Sequence, residues 1–447
     1  IYQGAWNPIM GLTDTYSRHI WGIISDPGTF KHPFTGETFP VRVDWQVETA
    51  GPNDKLTVPQ KAIIWNPTLQ KWENISQGTV ATSKVTFDFK FSNWHNGEMM
   101  DMNDILYSLY FTIDWGTQVD KNDKTFDTEY TPRAAQMIES IIGVNQIDAD
   151  TLEVYVDYWH FDEGEIAEWG DTWSVMPWEI SVAMEKAVID GKVSFSRSGA
   201  TSKNINWLSL IVPNDAILIK NYLQEFKEEN YIPIAFKNEN KNSEYYQNRY
   251  DSSIKWIENN NHAVISNGPF YLESYAPESR TITVKAFEDD TYPFKIGKWS
   301  EFENVQFPII KKIDLKKVIM KGDELKIGIK TVNSDSILYF LTNNEGELIE
   351  SEKIKVNDEN MIINVSVEKT EKLGIGANNI KIFAMSNSVL KPDYYESSFI
   401  VTNEKIELPT SNTDGIEFTE NKDNHIIWII PTITIVGIII YLKKRQS

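Results

Sequence analysis

Cysteine is absent from all 447 residues. That excludes disulfides, thiolate metal sites and a cysteine nucleophile, and it leaves the redox compartment open. Histidine is scarce and scattered, at His19, His32, His95, His160, His262 and His425. The HExxH zinc pattern, the GxSxG nucleophile elbow, the P-loop and the GxGxxG fingerprint are all missing. None of these forms of convergent constellation is written in the chain, so the expectation is a non-enzyme with no metal and no cofactor. Positive charge is also short: 43 Lys and Arg stand against 64 Asp and Glu, a net charge of −21. A nucleic-acid partner needs a basic footprint, and none is expected here.

Hydrophobic residues make up 41% and aromatics 12% of the chain, enough for packed cores rather than disorder. The length calls for two or more domains. The sequence begins at Ile1 without a signal-peptide pattern, which is the reading of a processed or partial product.

One stretch organises the rest: KVTFDFKFSNWHNGEMMDMNDILYSLYFTIDWG, residues 84–116. Val85, Phe87, Phe89 and Phe91 alternate with polar residues, which predicts a strand with one buried face. Asn96-Gly97 signals a turn. Asp101 is placed to cap a helix, with Asp104 in its first turn where a carboxylate suits the helix dipole. Ile105, Leu106, Leu109 and Ile113 share one helical face, and Gly116 closes it.

The wording of this unit resembles the F-H-D-G-x-P-x-T-A-x-D-V-x-x-S segment of the family 5 extracellular solute-binding proteins, the dipeptide, oligopeptide and nickel receptors of ABC importers. The matching residues are Phe91, Trp94, His95, Asn96, Gly97, Met100, Asp104, Ile105 and Ser108; Asn96 stands where Asp is usual. Far downstream, HAVISNGPFYLE from His262 to Glu273 is similar to the family's G-T-G-P-Y-x-L strand. Trp6-Asn7-Pro8 and VRVDWQVET at 41–49 resemble two further family segments. The resemblance covers roughly residues 5–310.

The resemblance implies a two-lobed periplasmic-binding-protein-like fold of the α/β class, mixed sheets with helices, closing over a peptide or other small solute and delivering it to ABC permease subunits. By position in the motifs, Trp6, Asn7, Asp14, Asn267, Gly268 and Tyr271 would sit near the ligand. The order of the chain departs from the family near Pro308, where a second lobe is expected and a β-rich region follows instead. The lid is therefore expected upstream of Ile1 or on a separate polypeptide.

A second pointer comes from the residues alone. Trp159, Trp169, Trp173 and Trp178 fall within twenty residues, interleaved with carboxylates. Aromatic rings with polar tips suit a cleft for a chemically varied ligand, and core packing is the equal alternative. Trp169 and Trp173 are candidate ligand contacts, with Asp171 the carboxylate for a ligand's amino group. The acidic run Asp157, Asp162, Glu163, Glu165, Glu168 and Asp171 lacks an EF-hand pattern and reads as a solvated loop.

The organisation expected is therefore a solute-binding region over 1–308, an all-β immunoglobulin- or fibronectin-like sandwich over 309–402, an acidic linker over 403–425, a transmembrane helix over 426–442 and a cytoplasmic tail over 443–447. Fourteen of the fifteen Trp residues precede Ser300, and short alternating runs with turn signals follow. Ile426–Leu442 is uncharged, about 26 Å as a helix, at the short end of a membrane span. Lys443, Lys444 and Arg445 place the C-terminus in the cytoplasm and the bulk outside, on the cell surface. Asn74 and Asn364 head candidate glycosylation sequons. Two rival functions remain: a structural or adhesive surface protein with a degenerate binding fold, and a glycan-binding or glycan-active one.

Overall fold

The computed structural model describes residues 4–237, 241–279 and 281–404. The linker beyond Glu404, the 426–442 segment and the basic tail lie outside the described residues. No helix among the described residues is long and apolar enough to cross a membrane. The chain divides into two compact units at Lys298/Trp299, with Pro33–Gly36 grouped in the second.

The first unit is mixed α/β. Six strands make its main sheet: β1 (Val43–Thr49), β2 (Ile63–Asn66), β3 (Lys71–Asn74), β4 (Ser83–Phe89), β5 (Ile141–Gln146) and β6 (Thr151–Val156), in the order β1-β4-β6-β5-β2-β3. Every pairing in it is antiparallel. The expected alternation of β4 holds: Val85, Phe87 and Phe89 are buried and Asp88 is exposed. β2 and β3 form a hairpin turning at Asn66-Pro67, with Asn66 Oδ1 accepting from the Thr68 and Leu69 amides at 3.0 Å. The helix Tyr130–Ser140 ends where Ile141 begins to pair in β5.

The helix Met102–Gly116 starts where the sequence places it. Asp101 accepts from the Asn103 amide at 3.0 Å, and Asp104 accepts back from the Asp101 amide at 3.1 Å. This reciprocal cap satisfies donors that a helix start leaves unpaired. Its core-facing residues run nearly all round, so the helix is sunk in the apolar cluster rather than laid on it. The helices Tyr130–Ser140 and Trp178–Ile189 pack against it, Pro213–Glu229 and Ser243–Asn260 pack on each other and on Trp178–Ile189, and the hairpin β7 (Phe270–Ala276) and β8 (Thr281–Ala286) closes the unit. At Thr15–Ile24, Asp14 is the cap, Ile24 is buried and Ile23 faces solvent.

Two arginines are fully enclosed in this unit. Arg249 binds Asp104 (2.6 Å from Nη2) and Glu179 (2.9 Å from Nε), and its guanidinium lies 5.2 Å from the centre of the Trp178 ring. Burial pushes both carboxyls up while the shared guanidinium pulls them back. One cation between two carboxylates makes the trio dependent on that cation. Removing one partner of a buried pair costs about 3–5 kcal/mol, since the other is left unpaired.

The second unit is all β. Its strands are β9 (Ile309–Leu315), β10 (Val318–Met320), β11 (Leu325–Val332), β12 (Ser336–Thr342), β13 (Leu348–Lys355), β14 (Asn360–Val365), β15 (Gly376–Met385) and β16 (Asp393–Thr402). They form a three-stranded sheet, β9-β11-β14, and a five-stranded one, β10-β16-β15-β12-β13, whose inner residues share one apolar cluster. Two strands, β9 and β13, have no counterpart among the expected runs. β13 is an edge strand of alternating charge, the pattern that guards a sheet edge rather than one that advertises a core.

Arg249→Met is expected to lower the urea-unfolding free energy by about 3–5 kcal/mol, read on the transition of the Trp-rich first unit. A change under about 1 kcal/mol, the scale of an exposed pair, would show that the trio is not a structural pin.

Candidate functional site

The two stretches that carry the family resemblance meet in space. The His95 amide donates to the Ser266 carbonyl at 3.0 Å, and the Ser266 amide donates back to His95 Nδ1 at 3.2 Å. Because Nδ1 accepts, Nε2 must hold the proton, and it donates to the Gly268 carbonyl at 3.1 Å. Burial keeps the ring neutral and lowers its pKa to about 4, against the pull of the Gly268 carbonyl in the other direction. His262 repeats the device: Nδ1 accepts from the Val264 amide, Nε2 donates to the Leu272 carbonyl, and its pKa also falls to about 4.

Gly268 is required by contact rather than by conformation. A Cβ there would lie 2.5 Å from the Ile24 carbonyl carbon and 2.6 Å from the Ser25 nitrogen. Its amide donates to the Ile24 carbonyl at 3.0 Å, and Asn267 Oδ1 accepts from the Asp26 amide at 2.9 Å. Arg42 completes the seam. Its guanidinium reaches Asp26 at 3.2 Å, the Asn267 carbonyl at 3.1 Å and Ser92 Oγ at 2.6 Å, between the rings of Trp173 and Tyr292. Burial lowers the Arg42 pKa and raises that of Asp26, each opposed by the other's charge.

Beside this seam lies a cleft of about 160 Å³. Its walls are Pro8 and Ile9 from the N-terminal segment, Tyr107, Ser108, Phe111 and Thr112 from one face of the Met102–Gly116 helix, Tyr130, Trp173 to Met176, and Ser181. Trp173 is thus the one expected contact that lines the cleft. Its Nε1 donates to the Asp26 carbonyl and its ring stacks on Phe89 and Phe91. Tyr271 lies elsewhere, in a groove of about 470 Å³ with His95, Trp256 and Phe287.

The other expected contacts are turned inward. Trp6 is fully buried, its Nε1 on Ser17 Oγ, and Asn7 is spent on the Phe195 and Leu208 carbonyls and the Met10 amide. Asp14 serves the Ser17 and Gly4 amides. Asp171, expected to meet an amino group, instead accepts from the Trp173 amide at 2.8 Å and Thr29 Oγ1 at 3.4 Å; burial raises its pKa to about 6. Trp169 donates to Ser140 and stacks on Tyr158. Asn267 and Gly268 form the seam rather than the cleft wall.

The acidic run is divided among duties: Asp162 caps the Glu163–Gly170 helix, Glu165 and Glu168 pair with Lys31, and Asp157 pairs with Lys55. Among the described residues no group of three or more His, Asp or Glu is placed to hold a metal. Asn74 and Asn364 are exposed. Sequence reasoning missed Arg42, although it sits in the VRVDWQVET segment, because nothing local marks an arginine that will be enclosed.

No family model matches the chain, and no curated protein matches it. Among solved structures, a lytic polysaccharide monooxygenase from Jonesia denitrificans aligns with 25% of this chain and 87% of its own, at 12% identity and a TM-score of 0.16. The ABC transporter-associated periplasmic binding protein DppA from Helicobacter pylori, in complex with peptide STSA, aligns with 77% of this chain and 52% of its own, at 10% identity and a TM-score of 0.29. The chain therefore spans about half the length of that protein. At these TM-scores neither similarity bears on the site.

The two neutral histidines make a prediction with a definite sign. Their folded pKa values near 4 lie below the usual 6.5, so what they contribute to stability is complete above pH 6.5 and is lost as pH falls toward 4. A shift of that size corresponds to roughly 3 kcal/mol per ring. Long-range ¹⁵N–¹H NMR at pH 5.5 is expected to find both rings neutral with the proton on Nε2. Imidazolium signals from these rings at that pH would contradict the assignment.

Proposed function

We propose that the first unit is the solute-binding lobe of an extracellular receptor serving an ABC importer, with a peptide or similar small solute as cargo. The single observation that carries this reading is the joining of the two resembling stretches, about 170 residues apart, by three hydrogen bonds between His95 and the Ser266–Gly268 segment. The cleft beside them supports it: an aromatic wall at Trp173, Phe111 and Tyr130 with hydroxyls of Ser108, Thr112 and Ser181 for a polar ligand edge. Its volume, about 160 Å³, is under the roughly 300–1,000 Å³ of a complete small-molecule site. A half-site that closes against a lid, upstream or on a partner polypeptide, accounts for that shortfall, as closure supplies the remaining contacts.

The second unit is read as an immunoglobulin- or fibronectin-like spacer. Its order, strands one, three and six in one sheet and two, eight, seven, four and five in the other, supports that plan. A C-terminal membrane anchor over 426–442, extracellular placement and use of the Asn74 and Asn364 sequons belong to the same proposal. One rival is favoured by a specific observation: the smallness of the cleft also suits a surface protein that has lost its ligand.

The test is mass spectrometry of small molecules released from the purified chain, followed by affinity measurements with what is found. Peptides are expected, and Ser108→Phe, which fills the cleft from the half-buried helix face, should weaken their binding at least tenfold without lowering Tm. Unchanged affinity in that variant would remove the cleft from the account, and a protein that carries nothing would favour the rival.

A further inference from the structure

On a neighbouring face of the buried helix is a second cavity, of about 260 Å³. Tyr107, Tyr110 and Asp114 reach it from the Met102–Gly116 helix, Glu185 from the Trp178–Ile189 helix, and Tyr231 from the segment that follows Pro213–Glu229. Val182, Ile189, Ile232 and Pro233 make the remainder mostly apolar.

Only two glutamates are buried among the described residues, Glu179 and Glu185. Glu179 has Arg249. Glu185 is 6% exposed and accepts from the Tyr107 and Tyr110 hydroxyls at 2.7 and 2.9 Å, with no Lys or Arg within the 4.0 Å of an ion pair among the described residues. A buried carboxylate without a cation is costly, and this one borders empty space rather than packed side chains.

We propose that this cavity is a binding site for a small organic ammonium ion, held by the Glu185 carboxylate against the rings of Tyr107, Tyr110 and Tyr231. Aromatic faces attract a desolvated cation, and the carboxylate supplies the matching charge. A hard metal ion is the wrong occupant: Ca²⁺ takes six to eight oxygen ligands, and no group of three or more His, Asp or Glu among the described residues is placed to hold one. The proposal does not rest on the receptor reading, since Trp173 lines the first cleft and not this one.

The charge state is set locally. Burial raises the Glu185 carboxyl to about 7, opposed by the tyrosine hydroxyls and reinforced by Asp114, whose own carboxyl is raised by burial. The facing titratable groups are Tyr107, Tyr110 and Asp114 on one helix and Tyr231 and Lys237 on the following segment. A bound cation favours ionised Glu185, so binding near pH 6.5 should release a proton and tighten as pH rises to 8.

The experiment is calorimetric titration of the 447-residue chain with butylammonium chloride, with 1-butanol as the neutral isostere. Butylammonium is expected to bind with proton release, seen as a difference between buffers of unlike ionisation enthalpy at pH 6.5, and 1-butanol is expected not to bind. Glu185→Gln should lose at least tenfold in affinity. No heat from butylammonium up to millimolar concentration, equal binding of 1-butanol, or binding without proton release would overturn the proposal. The buffer comparison decides the matter in wild type even if Glu185→Gln fails to fold.

Discussion

A single guanidinium shared by two carboxylates holds the first unit in register. Arg249 arrives on the helix Ser243–Asn260, Glu179 on Trp178–Ile189 and Asp104 on Met102–Gly116. Asp104 is the busiest of the three. It closes the helix cap on the Asp101 amide, takes the Trp178 amide at 3.1 Å and meets Trp94 Nε1 at 3.4 Å. A carboxylate with so many donors ties together the three helices that converge on it. The place of Asp104 in the resembling motif thus has a structural meaning: it is a scaffold position, and the ligand never needs to touch it.

The same logic recurs at the seam. Arg42, His95 and the Asn267 side-chain oxygen bond mainly to backbone groups, and the segment through Gly268 lies directly on the end of the Thr15–Ile24 helix. Buried polar networks of this kind rigidify a site when they are satisfied. Both cavities flank the one helix they brace, with Tyr107 common to the two walls.

What the sequence made legible was local. Alternation at Val85, Phe87 and Phe89 and the Asp101 cap depend only on neighbours a few residues away, and both stand where the pattern puts them. The enclosed arginines depend on partners up to 225 residues distant, such as the Asn267 carbonyl for Arg42, and no window contains that information. The tryptophan cluster misled for a related reason. Adjacent in the chain, Trp169, Trp173 and Trp178 go to Ser140, to the cleft and to the Arg249 trio respectively. Asp171 looked available because it is charged, but a residue after a helix end is well placed to serve the next amides, and it caps Trp173 instead.

The central claim is that the two resembling stretches form one cooperative body through these buried pins. Native-state hydrogen exchange tests it most directly, at the His95, Asp104 and Ser266 amides. The account predicts that all three exchange only through unfolding of the whole first unit, with one common free energy and one common dependence on denaturant. Exchange of Ser266 through a separate, low-energy opening, while Asp104 stays protected, would contradict it.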